Sequence, residues 1–141
     1  MRRLWTGILL MLITLPAFAG DLSITGAWLR LLPGDLPLAG YAHITNTGKS
    51  TLTLAAVSSP DFSQVQLHRS VIRNGMDTML HVDSISISAE TSLDLAPGGY
   101  HLMLFDRRRP LHVGQLVPVT FKFSDGSHHT VEFVVRGATG E

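Results

Sequence analysis

Two histidines and two methionines in this sequence have the types and spacing to bind a soft metal ion. His101 and Met103 occur in the segment GGYHLMLF (residues 98–105), which alternates like a β-strand. Because residues two apart on a strand point to the same face, these side chains lie together, and the apolar residues between them point to the other face. A single His-x-Met pair on a strand is often coincidental, so a metal site needs further ligands from elsewhere in the chain.

A second histidine–methionine pair is predicted on a hairpin. Asn74-Gly75 is a strong signal for a two-residue type I′ turn. With these two residues in the turn, His68 pairs with His81, and His68 and Met79 become diagonal neighbours on one face, a separation that long side chains can span. Met76 falls on the opposite face. Whether His81 or Met76 adds a further ligand is left open by the pattern.

The donor types favour copper. Thioether sulfur is a soft ligand that selects Cu(I), whereas zinc prefers cysteine, histidine or carboxylate, and calcium and magnesium prefer oxygen. The sequence contains no cysteine, so thiolate sites and blue-copper electron-transfer sites are excluded. Two histidines and two methionines could therefore close a four-ligand site. The alternative is that Met79 fills the core and that the histidines are incidental.

The first 20 residues have the features of a secretory signal peptide. A basic start is followed by an apolar run from Leu4 to Leu15 and then by PAFAG, which contains a small-x-small cleavage pattern. Cleavage near Ala19 or Gly20 would leave residues 21–141 as an exported protein that is not integral to a membrane; the less favoured alternative is that the segment stays as an uncleaved anchor.

Composition and turn spacing predict one all-β domain over residues 21–141. These residues carry nine Lys and Arg against eleven Asp and Glu, so they offer no basic surface for nucleic acid. Strand-like segments separated by turn signals about every 8–12 residues are typical of a sandwich or barrel. We predict a single-domain antiparallel Greek-key sandwich, with residues 33–40 as one of its loops.

The order and spacing of the four candidate ligands resemble the PCuAC family of periplasmic copper chaperones. Counted from His68, the pattern is His-x10-Met-x21-His-x-Met. Two flanking segments also resemble this family. Residues 25–48 contain Trp-x-Arg and Gly-Tyr-x-x-Ile-x-Asn, and residues 95–123 contain Pro-Gly-Gly-x-His-x-Met.

The resemblance implies a cupredoxin-like β-sandwich and a periplasmic protein that binds Cu(I) through His68, Met79, His101 and Met103. It also implies a metallochaperone with no enzymatic activity. Such a protein would deliver copper by ligand exchange to a client. The client implied by the resemblance is cytochrome c oxidase subunit II or another oxidase assembly factor.

The sequence departs from the family pattern in two places. Some members carry a methionine directly after the first histidine, where this chain has Arg69, so a fifth sulfur ligand is not expected there. Some members have a His/Met-rich tail, which this sequence lacks, so a second, Cu(II) site is not predicted. His128-His129 is only a weak substitute. We expect the Cu(I) site near the surface, on loops and strand ends at one end of the sandwich.

Other residues receive structural assignments. Trp28 and Tyr41 are predicted to be core aromatics. Asp77 and Asp83 flank a hairpin strand; they are candidates to orient an imidazole, but solvated carboxylates are the favoured interpretation.

Two rival functions belong to other classes. An exported β-sandwich adhesion or structural module with incidental histidines and methionines would bind no metal and would present an unpaired edge strand for assembly. A copper-dependent oxidase or a hydrolase has less support, because the sequence has no Gly-x-Ser-x-Gly motif and no defensible catalytic triad.

Overall fold

The protein is a ten-stranded all-β domain in a computed structural model that describes residues 21–141. The predicted signal peptide, residues 1–20, lies outside the described residues. No helix long and apolar enough to cross a bilayer occurs within residues 21–141. The strands are β1 (Leu22–Arg30), β2 (Leu38–Asn46), β3 (Leu52–Ser58), β4 (Phe62–Arg73), β5 (Met76–Val82), β6 (Ile85–Ile87), β7 (Ser92–Leu95), β8 (Tyr100–Arg107), β9 (Leu116–Phe123) and β10 (His128–Arg136).

The ten strands form one continuous hydrogen-bonded sheet in the order β5-β4-β8-β7-β2-β1-β10-β9-β3-β6. The last strand returns to lie beside the first, which is a long-range connection of the kind found in Greek keys. Most neighbours are antiparallel, as predicted. The exceptions are β1–β10 and the single bridge between β7 and β8, which are parallel.

Both halves of this sheet contribute to one hydrophobic core. On β8, Leu102 and Leu104 are fully buried, while His101 and Met103 point to the outer face because side chains alternate along a strand. The opposite half supplies most of the aromatic part of the core, with Phe121, Phe123 and Phe133 on β9 and β10, and Phe62 on β4 adds a fourth ring. The sheet therefore folds over itself as a sandwich, and the prediction of one all-β domain is confirmed.

A β-bulge in β1 decides which side chains face outwards beside the candidate site. The register between β1 and β2 shifts between Thr25 and Trp28, and Gly26 within this shift has a φ of +62°. A bulge inserts one extra residue and reverses the alternation beyond it. Leu29 consequently points into the core, and Trp28 and Arg30 point to the outer face.

The segment predicted as a loop over residues 33–40 already contains the start of β2. Leu38 is 1% exposed, and a Cβ placed on Gly40 would lie 3.1 Å from both Leu29 and Leu102. Close packing of β2 between β1 and β8 therefore outweighs the turn signal of the preceding prolines. The glycine lets the three strands approach beneath the candidate site.

Asn46 is a buried polar residue that joins the end of β2 to two other segments. Its Nδ2 donates to the carbonyl oxygens of Ser50 (2.8 Å) and Ile87 (3.0 Å), and its Oδ1 accepts from the backbone N–H of Gly48 (3.0 Å). The side chain is fully buried. Removing it would leave these backbone groups without a partner.

We predict that Asn46→Ala lowers the free energy of unfolding by about 3 kcal/mol, because an unsatisfied buried polar group costs about 1–3 kcal/mol and more than one is created. Urea denaturation measures this loss. Thr45→Ala is the matched control, since Thr45 makes only an exposed hydrogen bond to Ser92, and it should stay within about 0.5 kcal/mol of the parent. Equal stability of the two variants would contradict the assignment.

Candidate metal centre

Three histidines lie in one row across neighbouring strands. β4 pairs with β5 on one side, where His68 is opposite His81, and with β8 on the other side, where His68 is opposite His101. The His68 ring centroid lies 6.1 Å from that of His81 and 5.8 Å from that of His101. The predicted hairpin register is thus confirmed, down to the pairing of Arg73 with Met76 beside the turn.

The two candidate methionines flank this row on opposite sides. Met79 is opposite Ser70 on β4, and Met103 is opposite Gln66 on the same strand. Met79 is 60% exposed, so it does not serve as core filler. The alternative that Met79 packs in the core is therefore wrong.

A cavity of ≈ 220 Å³ opens on this outer face. Met79, His101 and Met103 line it together with Arg30 and Tyr41. His68 lies beside the cavity, one strand away from His101. All four candidate ligands lie within strands β4, β5 and β8, so none lies on a loop, and of the expected loops and strand ends only a strand end is used, by His101 as the second residue of β8. Because the β4–β5 hairpin is long, its candidate ligands His68 and Met79 lie on the face of the sheet.

The His101 imidazole is held in one orientation and keeps a free lone pair. Its Nδ1 lies 3.1 Å from the carbonyl oxygen of Gly99. A carbonyl oxygen can only accept, so Nδ1 carries the proton and donates. Nε2 is then the basic nitrogen, and it is buried without a hydrogen-bond partner. The residue as a whole is 3% exposed, although it faces away from the core.

His68 has the same arrangement with its two ring nitrogens exchanged. Its Nε2 donates to Oε1 of Gln66 at 2.8 Å, and its Nδ1 is buried with no partner. A buried polar atom without a partner costs about 1–3 kcal/mol. Two such nitrogens on adjacent strands are unfavourable in a purely structural site. This arrangement is typical of metal-binding imidazoles. One ring nitrogen is fixed by a hydrogen bond to a neighbour, and the other keeps a lone pair that can bind a metal.

The electrostatic environment keeps His68 neutral. Burial lowers the pKa of the His68 imidazole below its ordinary value, and the neighbouring His101 and His81 lower it further. Metal binding requires the neutral imidazole, so a lowered pKa keeps this ligand available under mildly acidic conditions.

We predict that His68 titrates below the ordinary histidine pKa of about 6.5 in an NMR pH titration of the metal-free protein. Between the lowered folded pKa and about 6.5, the unfolded chain is mostly protonated at this position while the folded chain is mostly neutral. The contribution of His68 to stability is therefore full above about 6.5 and is lost as the pH falls through the lower folded pKa. His68→Gln should flatten this part of the stability profile. An unshifted midpoint would contradict the burial argument.

His81 completes the row but faces solvent. Its side chain is 56% exposed, and its Nε2 lies 3.2 Å from Oδ1 of Asp83. Asp83 is 97% exposed and Asp77 takes part in no ion pair among residues 21–141, so both fit the favoured expectation of solvated carboxylates. In the same part of the chain, no group of three or more His, Cys, Asp or Glu side chains is placed to hold a metal. A site here therefore depends on thioether ligands.

His128 and His129 are not a paired site. They are the first two residues of β10, and neighbouring strand residues point to opposite faces. The His129 ring packs edge-on against Phe123, with centroids 5.8 Å apart. The two imidazoles therefore do not converge, and both residues occupy the start of a strand, as expected from the turn that precedes them.

The sequence interpretation missed an aromatic–cationic group beside the cavity. Trp28 and Tyr41 were expected to be core aromatics. Tyr41 is buried, at 6% exposed, whereas Trp28 is only partly buried, and the two rings pack against each other on the outer face with centroids 4.8 Å apart. Arg30 lies over both rings, 5.5 Å and 5.2 Å from their centroids. The signal was present in Trp-x-Arg, since both residues flank the buried Leu29 and must point away from it.

Comparisons with known proteins cover nearly all of the described residues. The family model described as "Putative lipoprotein LpqE-like" matches residues 22–135. A curated relative, "Putative lipoprotein Lxx21020" from Leifsonia xyli subsp. xyli (strain CTCB07), is 37% identical over 123 residues, which are 86% of this chain and 74% of that protein.

Two solved structures of copper-bound proteins share the fold. The "Copper-bound PCuAC domain from PmoF2" is similar with a TM-score of 0.71 and 27% identity, covering 84% of this chain and 94% of that domain. The solution structure of Cu(I)-DR1885 from Deinococcus radiodurans is similar with a TM-score of 0.67 and 31% identity, covering 85% and 83%. The predicted cupredoxin-like class of this sandwich is confirmed.

Proposed function

The chain belongs to the LpqE-like (PCuAC) family, and from this premise we propose that it is a periplasmic metallochaperone that binds Cu(I) through His68, Met79, His101 and Met103. Copper is its cargo. The protein holds the ion and passes it on, and it catalyses no covalent chemistry. Membership of a lipoprotein family is consistent with an exported protein.

The observation that carries this proposal is the pair of unpartnered imidazole nitrogens. Nδ1 of His68 and Nε2 of His101 are both buried without a hydrogen bond. Their rings are fixed by Gln66 and by the Gly99 carbonyl, so the two lone pairs are oriented before any metal arrives. A bound cation would satisfy both nitrogens at once.

The thioethers select the oxidation state. Met79 and Met103 add soft sulfur on either side of the histidine row, and soft donors favour Cu(I) over divalent ions that prefer nitrogen and oxygen. All four ligands are neutral, so they leave the charge of the ion uncompensated. This suits a carrier that must release its cargo, since a site with stronger cysteine thiolates can take the ion by ligand exchange.

We predict one tight Cu(I) equivalent in a competition titration with a chromogenic chelator, and none when all four ligands are replaced. Met103→Ala alone should weaken binding by at least about tenfold, because even partners that only orient a ligand are worth about 10–100-fold. Thermal unfolding checks that each variant is folded.

Met76→Leu is the matched control. Met76 lies on the same hairpin but on its other face, and it is 68% exposed. Its replacement should leave Cu(I) affinity unchanged. Loss of affinity in Met76→Leu, or full affinity in Met103→Ala, would contradict the ligand set. Absence of binding in the parent protein would favour the adhesion or structural module.

We further propose that the client is the copper site of a respiratory cytochrome c oxidase, in subunit II. The copper-loaded protein should transfer its ion to a soluble, metal-free subunit II domain on mixing under reducing conditions, as measured by the copper content of each protein after the two are separated. A client variant without its cysteines should receive none. Copper retention by the chaperone with the intact client would reject this client and leave the Cu(I) site itself standing.

A further inference from the structure

Arg30 is an arginine held in place with unused hydrogen-bonding capacity. Its guanidinium lies over the rings of Trp28 and Tyr41, which fix it through cation–π contacts. Its Nε is buried and has no hydrogen-bond partner. The side chain of such an arginine is already ordered before any ligand binds, so binding costs little further side-chain entropy. Its planar guanidinium also matches the geometry of a carboxylate.

No acidic side chain neutralises Arg30 within the described residues. The ion pairs there join His43 with Asp94, His81 with Asp83, and Arg109 with Asp61. A second cation lies beside it, since Arg136 is its cross-strand neighbour and also lies over the Trp28 ring, at 5.6 Å. The cationic group is therefore open to a partner from outside the chain.

This group and the candidate metal ligands share one cavity. Arg30 pairs with Ala39 on β2, and Ala39 pairs with Met103 on β8, so the three residues lie in one row across the sheet. Arg30 and Tyr41 line the same ≈ 220 Å³ cavity as His101 and Met103. No carboxylate lines it.

The charge of this cavity is unbalanced when copper is bound. Two imidazoles and two thioethers are neutral, so bound Cu(I) keeps its single positive charge, and Arg30 adds another. A neighbouring cation weakens the hold on a cation, and both charges attract an anion that approaches from solvent.

We propose that Arg30, held by Trp28 and Tyr41, binds a carboxylate of the copper-receiving protein and so docks an acidic side chain of the client next to the metal. This inference rests on the proposed function and names the chemistry of its partner. The expected client therefore has an acidic residue on its surface, close to the thiols that accept copper.

The transfer that this docking assists is a ligand exchange without redox change. Two client thiols lose their protons to the solvent and bind the ion as thiolates, while the imidazole and thioether bonds to copper break. Copper stays Cu(I) throughout. The docked carboxylate remains on Arg30 and forms no bond that must later be cleaved.

Two synthetic peptides test the proposal, Cys-Gly-Glu-Gly-Cys and its Cys-Gly-Gln-Gly-Cys counterpart. Each is titrated against the copper-loaded full chain, and the ratio of their transfer efficiencies is compared between protein variants, which cancels the intrinsic copper affinity of the peptides. The parent should favour the glutamate peptide by about three- to fivefold, the size of a solvent-exposed ion pair. The preference should decline at high salt.

Arg30→Gln should abolish this preference while Cu(I) binding by chelator competition persists. Arg30→Lys keeps the positive charge but lacks the planar guanidinium, so it should retain only part of the preference for the glutamate peptide. Arg108→Gln is the matched control, because Arg108 is exposed and does not line the cavity, and it should behave like the parent.

Outcomes for the two proposals are separable. A glutamate preference that survives in Arg30→Gln, or that is lost equally in Arg108→Gln, overturns the docking role while Cu(I) binding stands. A salt-independent preference in the parent likewise overturns it, without relying on any variant. Failure of the parent to bind Cu(I) at all overturns the proposed function and the docking role together.

Discussion

The register of β4 against its two neighbours is the constraint on which the candidate site depends. Because side chains alternate along a strand, a slip of one residue would turn His68 into the core and Leu67 towards solvent. The Asn74-Gly75 turn sets the register on the β5 side, and the buried leucines of β8 set it on the other. The same pairing that builds the core thus aligns three histidines and brackets them with two thioethers.

The proposed metal ligands lie in a sheet whose stability can offset the cost of buried polar atoms without hydrogen bonds. Two buried nitrogens without partners are a local cost, which the surrounding core and the fixed rings of His68 and His101 sustain. Neutral donors make the site receptive to a soft monovalent ion, and they also leave it easily emptied by thiolates. Arg30 lies beside the same cavity without an ion-pair partner among residues 21–141. In the proposed transfer its positive charge favours both the approach of an acidic partner and the release of copper.

Local signals in the sequence were sufficient to predict the β4–β5 hairpin and the all-β class. They were insufficient to predict contacts between segments that are distant in the chain. The Asn-Gly dipeptide fixes the pairing of His68 with His81, since the turn type leaves one register. The pairing of His68 with His101 joins residues 33 apart, and no local pattern specifies it; the family resemblance implied only that both residues bind the same ion. The start of β2 at Leu38 and the outer-face position of Trp28 were missed for the same reason. Packing around Gly40 and the bulge at Gly26 decide them, and both are tertiary effects.

Methionine methyl NMR tests the central claim most directly, because residues 21–141 contain only Met76, Met79 and Met103. Cu(I) is added under reducing conditions to protein labelled with ¹³C at the methionine methyl groups. The account predicts that the Met79 and Met103 signals shift together and saturate at one equivalent, while Met76, on the other face of the same hairpin, stays unchanged. Equal shifts at all three methionines, or shifts at none with copper bound, would contradict it.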